Sequence, residues 1–86
     1  ITVLQASPEA TALRIAADNS TYTVVMAAPG QTVTVGTLTT DAESVLITQT
    51  PGKPDWISAW HATTLSYNGK TLIKSRKPRD LSIPIK

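Results

Sequence analysis

The chain has 86 residues, a net charge of +2, no cysteine and one histidine, with 41% apolar and 16% charged residues. This composition indicates a single folded domain, because disordered chains carry fewer apolar residues and more charge. The lack of cysteine excludes a disulfide framework, and one histidine cannot build a zinc site alone. No apolar run approaches the roughly 18 residues of a membrane span, so we expect a soluble domain.

The N-terminal part of the chain contains one ambiguous segment. Residues 1–6 alternate weakly between apolar and polar side chains, as a strand does. Residues 7–17 fit either a short helix, capped by Ser7 with Pro8 at its first position, or a strand in which apolar residues recur at every second position. We favour the strand, joined to the next one by a turn at residues 18–20.

The rest of the chain is typical of short half-buried strands, because it is rich in threonine and β-branched residues. Asn68-Gly69 is the strongest turn signal, since both residues tolerate the positive φ of a type I′ hairpin. Pro84 lacks a backbone N–H and is expected on an edge strand. Breaker residues at 50–55 predict a surface loop. The predicted strands are Tyr22–Ala27, Thr32–Val35, Ser44–Gln49, Ser58–Tyr67, Lys70–Ser75 and Leu81–Ile85.

These elements predict an all-β fold for the whole chain. We expect a small antiparallel β-sandwich or partly open barrel of about seven short strands, with one short N-terminal helix as the alternative for residues 7–17. The domain spans residues 1–86.

One segment resembles a known family. Ala28-Pro29-Gly30-Gln31, followed by Thr34-Val35-Gly36, is similar to the middle of the small streptomycete α-amylase inhibitors. The resemblance implies a strand on each side of Gly30. That family's disulfides and its inhibitory Trp-Arg-Tyr triplet have no counterpart here, so it implies no inhibitory residue.

The sequence predicts no catalytic residue, metal site or cofactor. It has neither a strained Gly-x-Ser-x-Gly turn nor a phosphate-binding glycine motif. Asp41 and Glu43 lie two residues apart, as half of an acid–base pair would, but their Thr and Ser neighbours favour solvated turn acids.

Aromatic residues form the first candidate binding group: Trp56, Trp60, His61 and Tyr67. On a strand, Trp56 and Trp60 share one face and could bind sugar rings, bases or an apolar partner. Because the chain has no phenylalanine, we favour at least one tryptophan mainly filling the core, with an exposed, binding tryptophan as the alternative. His61 has the opposite parity to Trp60, so if one points inward the other points outward, and we expect His61 to face solvent.

Basic residues form the second candidate group. Residues 1–50 carry one basic and four acidic side chains, whereas residues 51–86 carry seven basic and two acidic ones. A strand face with Lys70, Lys74 and Arg76 suits an anion, and a solvated strand edge is the alternative. The whole predicted basic cluster comprises Lys70, Lys74, Arg76, Lys77 and Arg79, with Lys53 and Lys86 as further candidates.

Together these features predict a non-enzymatic binding or assembly module that uses an aromatic patch beside a basic strand to contact a glycan or protein partner. Nucleic acid or another anionic polymer, and a secreted enzyme to be inhibited, are alternative partners. The terminal edge strands could also pair copies of the chain into a homo-oligomer. Because the chain begins with isoleucine, it is either processed from a precursor or a part of a longer chain, and we expect a secreted, cell-surface or periplasmic protein.

Overall fold

The computed structural model describes residues 2–6, 10–28 and 30–85. These residues form eight strands and no helix, and every strand pair is antiparallel. The strands are β1 Thr2–Ala6, β2 Ala10–Ala17, β3 Ser20–Ala27, β4 Val33–Val35, β5 Leu38–Thr40, β6 Ser44–Gln49, β7 Asp55–Tyr67 and β8 Lys70–Ile85.

The strands form one sheet that folds over on itself into a nearly closed, barrel-like sandwich. Its order is β1-β2-β3-β6-β7-β5-β4, and β8 pairs with the other edge of β7. The first half of β7 pairs with β6, and its last residues pair with β5. The long β7–β8 ribbon therefore belongs to both layers of the sandwich.

The bend in β7 produces this closure. A straight strand would hold Asp55 and Tyr67 about 40 Å apart, yet the Tyr67 hydroxyl donates a hydrogen bond of 3.2 Å to Asp55 Oδ2. The bend lies where the pairing with β8 shifts register, between Ala59 and Ala62. His61 lies inside this bulge with a φ of 60°. We call residues 59–64 of β7 and 74–81 of β8 the corner.

The core lies between the two layers. Its largest fully buried apolar side chains come from strands of both layers: Leu38, Ile57, Leu65, Val25 and Val45. Small alanines at 10, 12, 42, 59 and 62 are also buried, so the layers approach closely without any phenylalanine.

Two-residue turns connect the β2–β3 and β7–β8 hairpins. The turn at Asn68-Gly69 is as the sequence predicts, whereas the turn predicted at residues 18–20 is one residue shorter because Ser20 begins β3. Asn68 and Gly69 have φ values of 51° and 78°, which a type I′ turn requires. The turn before Ser20 contains Asp18 with a φ of 54°, and it joins β2 to β3.

The all-β prediction is confirmed, with eight strands instead of about seven. The helical alternative is wrong for residues 10–17, which form β2; its cap at Ser7 and Pro8 lies outside the described residues, as do Ile1, Glu9, Pro29 and Lys86. Residues 50–54 form the predicted loop, and strands lie on both sides of Gly30. Pro84 lies on β8, which pairs with β7 on one side, as an edge position requires.

Candidate functional site

The outward side of the sheet formed by β2, β3, β6 and β7 carries no charged side chain at its paired positions. In each of these strands the alternate residues face the core and are buried, as Ala12, Val25, Val45 and Ile57 are. The opposite set, which we call the outer face, consists of Thr11, Leu13, Ile15, Tyr22, Val24, Met26, Ser44, Leu46, Thr48, Trp56, Ser58 and Trp60.

Large apolar side chains are exposed on this face. Val3 extends it onto β1 because Val3 pairs with Leu13, and the same row continues through Val24 to Leu46. The exposed large apolar residues of the described chain all belong to this surface: Val3, Met26, Leu46, Trp56 and Trp60. Their exposed area is on the order of 500 Å², at the upper end for the largest apolar patch of a monomer.

Both tryptophans lie on one face, as their spacing predicts. That face is the outer face, so the expectation that at least one tryptophan fills the core is wrong. Trp60 is 55% exposed and Trp56 is 44% exposed. The Trp56 indole Nε1 donates a hydrogen bond of 2.9 Å to Ser82 Oγ, and Ser82 Oγ lies 3.1 Å from Ser58 Oγ. This bond holds the Trp56 ring, whereas Trp60 has no polar anchor among the described side chains.

His61 departs from the expected alternation. Trp60 and His61 are both exposed, and their ring centroids lie 6.3 Å apart with the planes tilted by 48°. His61 faces solvent, as expected. The expected opposition between the two residues is wrong because the left-handed conformation of His61 inserts an extra residue into β7. Asp80 Oδ1 accepts a hydrogen bond of 3.1 Å from the His61 backbone N–H and so holds the bulge.

Tyr67 is not part of the exposed aromatic group. It is buried in the core, and its hydroxyl donates to Asp55. Burial, together with the negative charge of Asp55, raises the pKa of Tyr67 above its usual value of 10.0. Its predicted place in the aromatic patch is wrong because the bend in β7 turns the end of the strand into the other layer.

The structure places the residues of the predicted basic cluster in two separate regions of the surface. Lys70 pairs with the buried Tyr67, whereas Lys74 pairs with Thr64, and an extra residue at Leu72 shifts the register between them. The expected shared face of Lys70, Lys74 and Arg76 is therefore wrong. Because β7 bends back, Lys70 instead lines a shallow groove with Lys53, which lies in the loop before β7.

The other basic residues protrude at the corner. Ala62 of β7 pairs with Arg79 of β8, and Thr64 pairs with Lys74. One β7 residue therefore lies between the two pairs, whereas four β8 residues do. The additional residues carry Arg76 and Lys77 outward, and Ser75 Oγ accepts hydrogen bonds from the Lys77 N–H at 3.3 Å and from Arg79 Nε at 3.1 Å. Lys74, Arg76, Lys77 and Arg79, which are all exposed, form what we call the basic corner, next to His61 and Trp60.

Asp41 has a structural role that its sequence context does not reveal. Its Oδ1 accepts hydrogen bonds from the backbone N–H groups of Thr63 at 2.8 Å and Thr64 at 3.0 Å, and Oδ2 accepts one from the Thr63 hydroxyl. Burial raises the pKa of Asp41, but these hydrogen bonds outweigh it and hold the pKa below its usual value. The expectation of a solvated turn acid is therefore wrong, because the Asp41 carboxylate binds the backbone of β7 just after its bend.

A groove of about 660 Å³ crosses the outer face beside Trp60. Its walls are mainly apolar, with Val24, Leu46 and the Trp60 ring, and they end at the Asp80 carboxylate. Three serine hydroxyls also line it: Ser44, Ser58 and Ser82. The groove can accept an apolar body and hydrogen-bond its polar groups.

Sequence reasoning identified the tryptophans but missed the aliphatic part of the outer face. Val24, Met26 and Leu46 look like ordinary strand residues when each strand is considered alone. The usable signal was the lack of any Lys, Arg, Asp or Glu at the outward positions of β3 and β6, since a solvated sheet face normally carries charge.

The comparisons with known proteins give no family or relative. The chain matches no protein-family model, and no curated protein is significantly similar to it. In the described part of the chain, no group of three or more His, Cys, Asp or Glu side chains could hold a metal ion. No helix formed by those residues is long and apolar enough to cross a membrane.

Proposed function

We propose that this domain is a non-enzymatic assembly module whose outer face packs against the same face of a second copy of the chain. The observation that carries the proposal is the concentration of Val3, Met26, Leu46, Trp56 and Trp60 on one uncharged sheet face. Loss of charge, with enrichment of Trp and Met, is typical of the buried centre of protein interfaces.

The charge distribution supports a second copy as the partner. The chain carries eight basic and six acidic side chains, yet the paired positions of the outer face hold none of them. Two copies can therefore meet face to face without burying like charges, which would cost several kcal/mol. The basic corner stays at the rim, where charged side chains remain in water.

Size and geometry support the same partner. Aligned sheets pack about 10 Å apart with interdigitated side chains, and the outer face offers a row of four aliphatic residues for this: Val3, Leu13, Val24 and Leu46. The apolar area, on the order of 500 Å², is a large part of the roughly 800 Å² that each partner buries in a typical interface. A domain of this size also gains stability from an added interface, because its own core is small.

Sedimentation at several protein concentrations tests the proposal. We expect the intact chain to form a dimer whose fraction rises with concentration, and Leu46→Asp to weaken association by at least about 100-fold, because it buries an unpaired charge at the centre of the interface. Thr71→Asp is the matched control, since it adds the same charge to an exposed strand position of β8 that lies outside the outer face. A monomer at every concentration, or equal effects of both variants, would contradict the proposal.

A glycan is the second candidate partner. The groove beside Trp60 combines an indole ring with the Asp80 carboxylate and serine hydroxyls, and a sugar ring presents an apolar face bordered by hydroxyl groups. If the chain stays monomeric and its tryptophan fluorescence changes on addition of neutral oligosaccharides, glycan binding replaces self-association as the proposed function.

A further inference from the structure

A second concave site lies between the two layers of the sandwich, away from the outer face. This cleft of about 590 Å³ is lined by residues of β1, β2, β3, β6 and the β4–β5 hairpin. Its volume falls within the range of small-molecule sites, which are common at the mouths of β-barrels. Leu4, Val35, Leu38 and Ile47 supply the aliphatic part of the lining.

Arg14 is the one charged side chain in the lining of the cleft. It lies on the core-facing side of β2, because it pairs with the buried Thr23, which in turn pairs with Ile47. The Arg14 side chain is exposed, so its charge is in contact with solvent as well as with the cleft. Among the residues the structure describes, Arg14 makes neither an ion pair nor a side-chain hydrogen bond, so its guanidinium donors are available to a ligand.

Further polar groups converge on the same cleft and are held in place. Gln49 and Tyr67 both line it, and both donate to Asp55 Oδ2, over 3.4 Å and 3.2 Å. These bonds fix the two side chains and leave the Gln49 amide oxygen free to accept, whereas the Tyr67 hydroxyl oxygen is already hydrogen-bonded to the Asn68 side chain. Thr23 also lines the cleft, and its hydroxyl bonds to no other side chain in the described ranges.

The rim of the cleft is anchored as well. The turn of the β4–β5 hairpin contributes Thr37, whose hydroxyl donates to Asn68 Oδ1 over 2.6 Å. The Asn68 backbone N–H donates to the Thr37 carbonyl oxygen over 3.3 Å. Two hydrogen bonds thus connect the rim to the β7–β8 turn, which keeps the cleft preformed.

We propose that this cleft is a binding site for a small organic anion, in which Arg14 binds a carboxylate or a similar anionic group and the Leu38–Ile47 wall takes an apolar body. Arginine suits this role because its planar guanidinium can donate two parallel hydrogen bonds to a carboxylate. The site is independent of the outer face, since it opens between the layers.

Titration of the amide resonances of the full chain by two-dimensional NMR tests the inference, with phenylbutyrate as the anionic probe and phenylbutanol as its neutral counterpart. We expect phenylbutyrate to produce saturable shifts at Thr37, Gln49 and Asn68, with a dissociation constant on the order of 1 mM or lower. Arg14→Gln should weaken binding about tenfold, since it removes a charge-assisted hydrogen bond. Arg14→Lys should retain part of the affinity.

Arg76→Gln is the matched control, because it removes the same charge from the basic corner and should leave the affinity unchanged. The spectrum of each variant also reports whether it folds. Shifts confined to Ser44, Ser58 and Trp60, equal affinity for phenylbutanol, indifference to Arg14→Gln or the absence of saturable shifts would each overturn the inference. None of these results depends on whether the outer face forms a dimer.

Discussion

Replacing Asp41 should destabilise the domain more than any other single carboxylate substitution that we can derive from the structure. The Asp41 carboxylate accepts hydrogen bonds from both backbone N–H groups at Thr63 and Thr64 and from the Thr63 hydroxyl. Asp41→Ala leaves these half-buried donors without an acceptor just after the bend of β7.

The magnitude follows from the number and kind of these bonds. Hydrogen bonds to a charged group contribute about 1.5–3 kcal/mol each, and neighbouring bonds are not additive, so we expect a loss of about 3 kcal/mol. A domain of this size has a free energy of unfolding of roughly 4–13 kcal/mol. The midpoint of thermal unfolding should therefore fall by about 12–24 °C.

The pH dependence supplies a second, independent readout. Because the pKa of Asp41 is lower in the folded state than its ordinary value of 3.8, its contribution is complete above that value and is lost as the pH falls through the folded-state pKa. The stability difference between the intact chain and Asp41→Asn should be constant above about pH 5 and should narrow in more acidic solution.

Thermal unfolding followed by circular dichroism measures both effects, at one low protein concentration because assembly would raise the midpoint. Glu43→Gln is the control, since the Glu43 carboxylate makes no hydrogen bond to the described residues and its loss should leave the midpoint nearly unchanged. A fall of less than about 4 °C for Asp41→Ala, or equal falls for the two variants, would refute the reasoning.

Two further substitutions test the bend and its closure. Tyr67→Phe removes the hydrogen bond to Asp55 and should lower the free energy of unfolding by about 1 kcal/mol at neutral pH. Because the pKa of Tyr67 is raised in the folded state, this difference should vanish as the pH rises through the raised pKa. A difference in denaturant titrations that does not depend on pH would contradict the assignment. His61→Val should lower the free energy of unfolding by about 1–2 kcal/mol because of the left-handed backbone, whereas His61→Gly should not. Equal losses for the two His61 variants in urea titrations would show that the histidine ring, and not its backbone conformation, matters.

Local sequence signals predicted most of the strands and turns because their causes are local. Asn68-Gly69 suits a type I′ turn by its own conformational preference, and Pro84 excludes a central strand by lacking an N–H. The alternation around Trp56 and Trp60 likewise placed both rings on one face. The three-residue strand Leu38–Thr40 was missed because it is too short for a period of two to stand out.

The errors arise where the period of two is broken. The bulge at His61 and the extra residues of β8 depend on how β7 and β8 pair. The sheet face on which His61 and Lys70 lie could therefore not be predicted from either strand alone. Tyr67 was misplaced for the same reason, because the bend moves it into the other layer. The position of Arg14 on the core side also depends on pairing with Thr23.

The central claim, that two copies pack through their outer faces, is tested most directly by isotope-filtered NMR on a mixture of labelled and unlabelled chains. We expect intermolecular contacts between the methyl groups of Val24 and Leu46 in one copy and the indole protons of Trp60 or Trp56 in the other. Contacts confined to the free edges of β1 or β8, or no intermolecular contacts at the highest attainable concentration, would contradict the claim.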